Sequence, residues 1–228
     1  MTSEVDISNL ALAHLGDSAT VTSLSPPEGS AQAEHCSRFY PIARDSLLEQ
    51  HDWKFNTRRE AGALLTEVPL NGWLYAYGMP NRALRVLAVL PPSVNDDYSS
   101  TFTIPGYTTA SGNPYSYLDA YTDYQPQAYA LETLSNGNVV IYTNQPDAVI
   151  RFTINLTDST QFSPLFVDTL SWYLASYLAG PIIKGEAGAA EGQRCLKIAM
   201  ALMGKATMSD TRNEQVRPKH SVSWINNR

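Results

Sequence analysis

The apolar residues of this chain change period twice, and that change limits the architectures open to it. They recur at helical spacing near both ends and at strand spacing through the middle. In VDISNLALAHLG, Ile7, Leu10, Ala11 and His14 fall on one stripe and Gly16 supplies a stop. His14 has no other ligand type on its face and reads as a packed helix residue. The second helix is expected to start at SPPE, with Ser25 as cap, Pro26 first and Glu28 at capping-box distance, and to run to about Gln50. Cys36, Tyr40, Ala43 and Leu47 form its buried stripe, widened by Phe39 and Leu48. Gln32, Arg38, Asp45 and Glu49 fall on the wet side. Pro41 removes one backbone hydrogen bond and predicts a kink. Two helices close the pattern. SPLFVDTLSWYLASYLAG is capped by Ser163 with Pro164 first, and is apolar around most of its axis. After a break at GPIIKGEAG, roughly Ala189 to Met208 carries the stripe Cys195, Ile198, Ala199, Leu202 and Ala206.

Between them lie short β-prone runs, LRVLAVLPP, STFTIPG, AYALETL, VVIYTN and AVIRFTIN. SNGN (Ser135–Asn138) predicts a type I′ hairpin and NQPD (Asn144–Asp147) the next turn, so the three strands around them are expected to form a meander. Neither helical pair can bury its apolar face alone. The expected fold is therefore α+β: a four-helix bundle, two N-terminal and two C-terminal helices, interrupted by an antiparallel β insertion and followed by an extended C-terminal tail. Residues 1–52 are the first helical half and 53–162 a β domain with a Tyr-rich loop. Residues 163–209 are the second half and 210–228 a docking tail.

The net charge of −6 and a pI near 5.2 argue against generic polyanion binding. The charge is uneven, however: from Arg212 onward there are four cations and one anion, which points to a separate partner for the tail. Cys36 and Cys195 form no metal or redox motif and read as core residues of a chain made in a reducing compartment. No secretory signal and no membrane-spanning apolar run stands in the sequence. The four histidines form no HxxxH or HExxH pair, and no Walker loop, GxGxxG or GxSxG is present, so neither a metal, a cofactor nor enzymatic activity is expected. One alternative is a glycan-binding or glycan-hydrolysing component. Asp96 and Asp97, with Asp119 or Asp123, lie beside Tyr107, Tyr115, Tyr117, Tyr121 and Tyr124, a composition found around paired carboxylates that cleave sugars. The tyrosines equally suit a protein-contact surface.

DWKFNTRRE mixes aromatics with Lys54, Arg58 and Arg59, as a nucleic-acid surface does. It also stands where the period changes. If the segment is extended, Trp53 and Phe55 point to one face and seal the helices against the first strand, which leaves the cations as subunit contacts.

ISNLALAHLGD, followed by a helix carrying C-x-x-x-YP-x-AR-x-x-LLEQHDWKF, resembles the opening of the head-to-tail adaptor family of short-tailed phages, the tail tubular protein A family. LASYLAGPI is similar to that family's buried third helix, KATMSDTRNEQ to its final-helix Ala-x-x-x-Asp-x-x-x-Glu run, and SWINNR to its Trp-hydrophobic-x-x-Arg ending. The resemblance covers both helical ends and the tail. It implies a structural virion protein, made in the host cytoplasm and built into the neck as a ring, typically dodecameric. Such a ring joins the portal protein to the tail nozzle protein around a channel that DNA crosses without specific binding. It further implies that a tail carrying Arg212, Arg217, Trp224, Ile225 and Arg228 docks on the portal, and that the β domain with its tyrosines faces the nozzle.

Overall fold

The computed structural model describes residues 2–66, 72–92 and 127–212. Within them the chain forms α1 (Glu4–His14), α2 (Ala31–Glu49), β1 (Thr57–Ala61), β2 (Ala63–Leu64), β3 (Tyr75–Gly78) and β4 (Ala83–Leu90). β5 (Tyr129–Thr133), β6 (Val139–Thr143), β7 (Val149–Ile154), α3 (Pro164–Ile183) and α4 (Gly185–Thr211) follow. The architecture is α+β, with helices at both ends and antiparallel sheets between. Contacts divide the chain into a helical unit, Met1–Thr57 with Asn155–Glu214, and a β unit built on Arg58–Ile154. The seams thus fall at 57/58 and 154/155 rather than at the expected 52/53 and 162/163. Trp53, Phe55 and Phe162 pack with Phe166 of α3, and this draws their segments into the helical unit.

Helix starts follow local chemistry. Ser3 Oγ accepts the Asp6 N–H at 3.1 Å while the Asp6 carboxylate accepts the Ser3 N–H at 2.9 Å, a closed capping box. α1 buries Ile7, Ser8, Ala11 and Leu12, so Leu12 takes the place expected of Leu10, which stays exposed. α2 does not begin at SPPE. Gly29 sits at φ +95, where a helix cannot pass, and Ser30 caps instead, its Oγ accepting the Ala33 N–H. Glu28 turns back to take the backbone N–H and hydroxyl of Thr22. α2 then runs through Pro41 without interruption and buries Cys36, Tyr40, Ala43, Leu47 and Leu48 as its spacing predicts. Ser163 caps α3 through the Phe166 N–H. α3 continues through Pro181, and the break falls inside the expected segment at Lys184–Gly185, both at positive φ.

α3 is the centre of the helical unit: α1, α2 and α4 each pack on it, while α1 and α2 touch each other little. Ten of its residues are buried, among them Phe166, Leu170, Leu174 and Leu178. α4 approaches closely because its facing residues are small. A Cβ at Gly188 would lie 2.8 Å from the Ala179 carbonyl oxygen, and one at Gly192 would lie 3.1 Å from that of Ser176.

In the β unit the strand orders are β1-β7-β4 and β2-β3-β6-β5. The β5–β6 hairpin forms where SNGN predicts it, but its turn is not type I′. That turn needs positive φ at both Asn136 and Gly137, and only Gly137 has it, at +84. Gly137 N–H donates to the Leu134 oxygen at 2.8 Å and Leu134 N–H to the Asn138 oxygen at 2.9 Å, the pattern of a longer loop closed by a glycine bulge. The expected meander is absent, since β6 and β7 belong to different sheets. After β6 the chain turns at Asp147 (φ +48), and the Tyr77 hydroxyl fixes the turn by donating to the Gln145 oxygen and accepting the Ala148 N–H. Tyr77 and Ile141 from one sheet then share a core with Val86, Val89, Ile150 and Phe152 from the other. Val86 and Val89 both reach this core because a register shift separates Val86 from Ala88.

The α3–α4 contact yields a paired test by urea unfolding. Gly188→Ala is expected to destabilise the protein by about 1–3 kcal/mol through overpacking. Gly204→Ala, where a Cβ meets nothing within 4 Å, is expected to stabilise it by up to about 1 kcal/mol through helix propensity. Equal effects of the two substitutions would refute the close packing.

Candidate functional site

Near its C-terminal end α4 places Ala206 and Asp210 on the inward face, one turn apart, and both are buried. Burying a carboxylate is costly unless it is hydrogen-bonded. Asp210 meets that need at the turn after α2: both of its oxygens accept the Lys54 backbone N–H, at 3.2 and 3.0 Å. His51 Nε2 lies 3.3 Å from Asp210 Oδ2, at ion-pairing distance. The turn exists because Lys54–Asn56 forms a 3-10 helix, closed by the Asn56 N–H donating to the Trp53 oxygen. Thr57 Oγ1 donates to that same carbonyl, and Trp53 Nε1 donates to the Leu47 oxygen.

This corrects the extended geometry expected for Trp53 and Phe55. They are brought together by a turn, with ring centroids 5.6 Å apart and both rings against Phe166, at 5.0 and 5.2 Å. Trp53 is fully buried. The second seam is fastened in the same manner. Asn155 Nδ2 donates to Asp45 Oδ2 at 3.3 Å, and Asp45 Oδ1 accepts from Arg44 Nε at 2.8 Å and pairs with Nη2 at 2.7 Å. Arg44 is buried beside the Tyr40 ring, and burial pushes the Tyr40 hydroxyl up to about 12. Asp45, expected on a solvated face, is thus part of a network that reaches across the helical unit. Each strand of chain leaving the helices is therefore tied to them by a carboxylate, Asp210 at the first seam and Asp45 at the second.

Of the residues singled out from the sequence, Lys54 stands in the first of these ties through its backbone, and Trp53 and Phe55 in the aromatic cluster beside it. Arg58 is half-buried and Arg59 exposed, both in β1. Arg212 is exposed at the C-cap of α4. Arg217, Trp224, Ile225 and Arg228 lie outside the described residues, as do Asp96, Asp97, Asp119, Asp123, the STFTIPG run and Tyr107, Tyr115, Tyr117, Tyr121 and Tyr124. Asp210 and Thr211, expected in the tail, belong to α4.

His14 is packed: it stacks on Trp172 with centroids 3.7 Å apart, and its Nε2 is 3.0 Å from Ser171 Oγ. Burial pulls its basicity down, the Arg194 charge adds to this, and Asp168 opposes it. Arg194 covers the Trp172 ring at 5.6 Å and is held by Glu191. Both cysteines are buried free thiols, and burial pushes Cys36 up to about 11, which removes the thiolate needed for nucleophilic or redox chemistry. Among the described residues no group of three or more His, Cys, Asp or Glu could hold a metal ion, and no helix is long and apolar enough to cross a membrane. A cavity of about 540 Å³ in the β unit is lined by Asn81, Arg82, Asn136 and Asn138 among others, with no carboxylate among its described lining residues.

Compared with protein-family models and with curated proteins, the chain matches none. The residue that the sequence reading left without a role is Asp210. Its signal was present, an acid four residues after Ala206 on the inner stripe, where an unpaired charge would be untenable.

Asp210→Ala is expected to lower the unfolding free energy by about 1.5–3 kcal/mol, the range for hydrogen bonds to a charged group. The exposed neighbour change Ser209→Ala should stay within about 0.5 kcal/mol of wild type. Urea unfolding of the two variants checks this, and an unchanged Asp210→Ala midpoint would remove the carboxylate from the site.

Proposed function

We propose that the chain is a ring-forming head-to-tail adaptor of a short-tailed phage, joining the portal to the tail nozzle and forming part of the DNA ejection channel. The observation that carries the reading is the anchoring of the end of α4 by Asp210. This residue is the acid of the Ala206-x-x-x-Asp210-x-x-x-Glu214 run that resembles the adaptor family. A docking segment transmits force to a body only if its root is held. Here the root is a buried carboxylate tied to a turn whose Trp53 is fully enclosed. Of the α2 residues that carry the resemblance, Cys36, Tyr40, Ala43, Arg44, Leu47 and Leu48 are buried, while Pro41 and Glu49 are exposed.

In this reading α3 and the three helices packed on it act as the bundle that packs side by side in the ring, since a closed ring rewards a rigid subunit with two complementary faces. The acidic body suits a channel along which DNA slides rather than binds. Arg217, Trp224, Ile225 and Arg228 serve as portal anchors, because Trp and Arg dominate the energetics of interfaces. Tyr107, Tyr115, Tyr117, Tyr121 and Tyr124 serve on the nozzle side.

Light scattering of the purified protein, alone and mixed with the portal ring of the same virion, tests the reading. A ring mass on the portal is expected. Deleting Pro218–Arg228 should leave the unfolding transition in place and weaken portal attachment. A strict monomer that ignores the portal would overturn the proposal, and a truncation that unfolds the body would overturn the docking role of the tail.

A further inference from the structure

Asn56 ends the 3-10 turn at the first seam, and its side chain is fully buried. Neither its Oδ1 nor its Nδ2 finds a hydrogen-bond partner among the described residues. A carboxamide carries two donors and an acceptor, so burial strips it of water at both ends with nothing returned. Asn9 shows the same side chain when it is satisfied. Its Nδ2 donates to the Val21 oxygen at 2.9 Å and its Oδ1 accepts the Val21 N–H at 2.7 Å. The turn that encloses Asn56 is slight. Its backbone bonds run from the Asn56 N–H to the Trp53 oxygen and from the Thr57 N–H to the Lys54 oxygen, and such turns bond with poorer geometry than an α-helix. These same three residues nonetheless carry the anchor of α4, because the amide that Asp210 accepts is that of Lys54.

We infer that the turn Lys54–Asn56 is a latch with two states. In the closed state Asp210 holds the Lys54 amide; in the open state Asn56 reaches water and the end of α4 is released. The carboxamide supplies the bias. It raises the free energy of the closed state and leaves the open one untouched, so the open state is more populated than an apolar residue here would allow. Trp53 works against it, buried with its Nε1 on the Leu47 oxygen, and keeps the start of the turn in place. Opening is therefore a local event at Lys54 and Asn56 and leaves the helices around α3 folded. The latch belongs to a single subunit and works whether or not the chain forms rings. In an adaptor it stands at the root of the segment that docks.

Native-state hydrogen exchange and urea unfolding of the full chain test this with three variants, circular dichroism verifying that each folds. Asn56→Leu keeps the number of side-chain heavy atoms and removes the amide. It is expected to protect the backbone amides of residues 54 and 56 at least about fivefold more than wild type and to raise the urea midpoint. Asn56→Ala, which cannot overpack, is expected to leave the midpoint no lower than wild type. Asn9→Leu removes a satisfied amide and should lower it. If both Asn56 variants unfold at lower urea than wild type, as Asn9→Leu does, the Asn56 amide is satisfied in the folded protein and the latch is overturned. It is overturned equally if the wild-type amides of Lys54 and Asn56 exchange only as slowly as those from Leu170 to Leu178 in α3, because no separate open state then exists.

Discussion

The burial of α3 is the constraint on which the rest of the helical unit depends. Its apolar residues occupy most of the axis, so it is stable only when covered on several sides. α1, α2 and α4 provide that cover, and each finds its main partner in α3 rather than in the others. The chain order sharpens the constraint. α1 and α2 lie before the β insertion and α3 after it, so their shared core closes over a long loop. Closure over a long loop costs little more than over a short one, since the entropy grows only with the logarithm of length. It does require that the two threads leaving the helices be held in place, and Asp210 and Asp45 each hold one.

Much of this was legible in the sequence. The stripe Cys36, Tyr40, Ala43 and Leu47 is buried as its spacing predicts, and Ser163 caps α3 as expected. The failures share a cause, in that the deciding partner was distant or the backbone constraint was local and stronger. Ser25, Pro26 and Glu28 have the chemistry of a helix start, yet Gly29 at φ +95 places the start at Ala31. The meander required β7 to follow β6 in one sheet, whereas the Tyr77 hydroxyl, from a strand far earlier in the chain, fixes the turn that sends β7 elsewhere. Trp53 and Phe55 were expected to seal the helices against the first strand from an extended segment; they meet instead through the turn at 54–56 and pack on Phe166, and alternation says nothing about a turn.

The same reasoning explains why the candidate site was only half visible. Arg44 and Asp210 are charged residues on inner faces, and sequence periodicity marks such positions as anomalies without naming their partners. Once the partners are known, the two carboxylates have one task, holding the seams of the helical unit. For a proposed adaptor this matters mechanically. A subunit that bridges two larger assemblies must carry load across its own connections, and the buried charges Arg44 and Asp210 stand at them.

Native-state hydrogen exchange tests the central position of α3 most directly. The account predicts that the amides from Leu170 to Leu178 are the slowest of the helical unit and exchange only through its global unfolding, while α1 opens locally at lower free energy. Exchange of those α3 amides through local opening, as fast as those of α1, would contradict it.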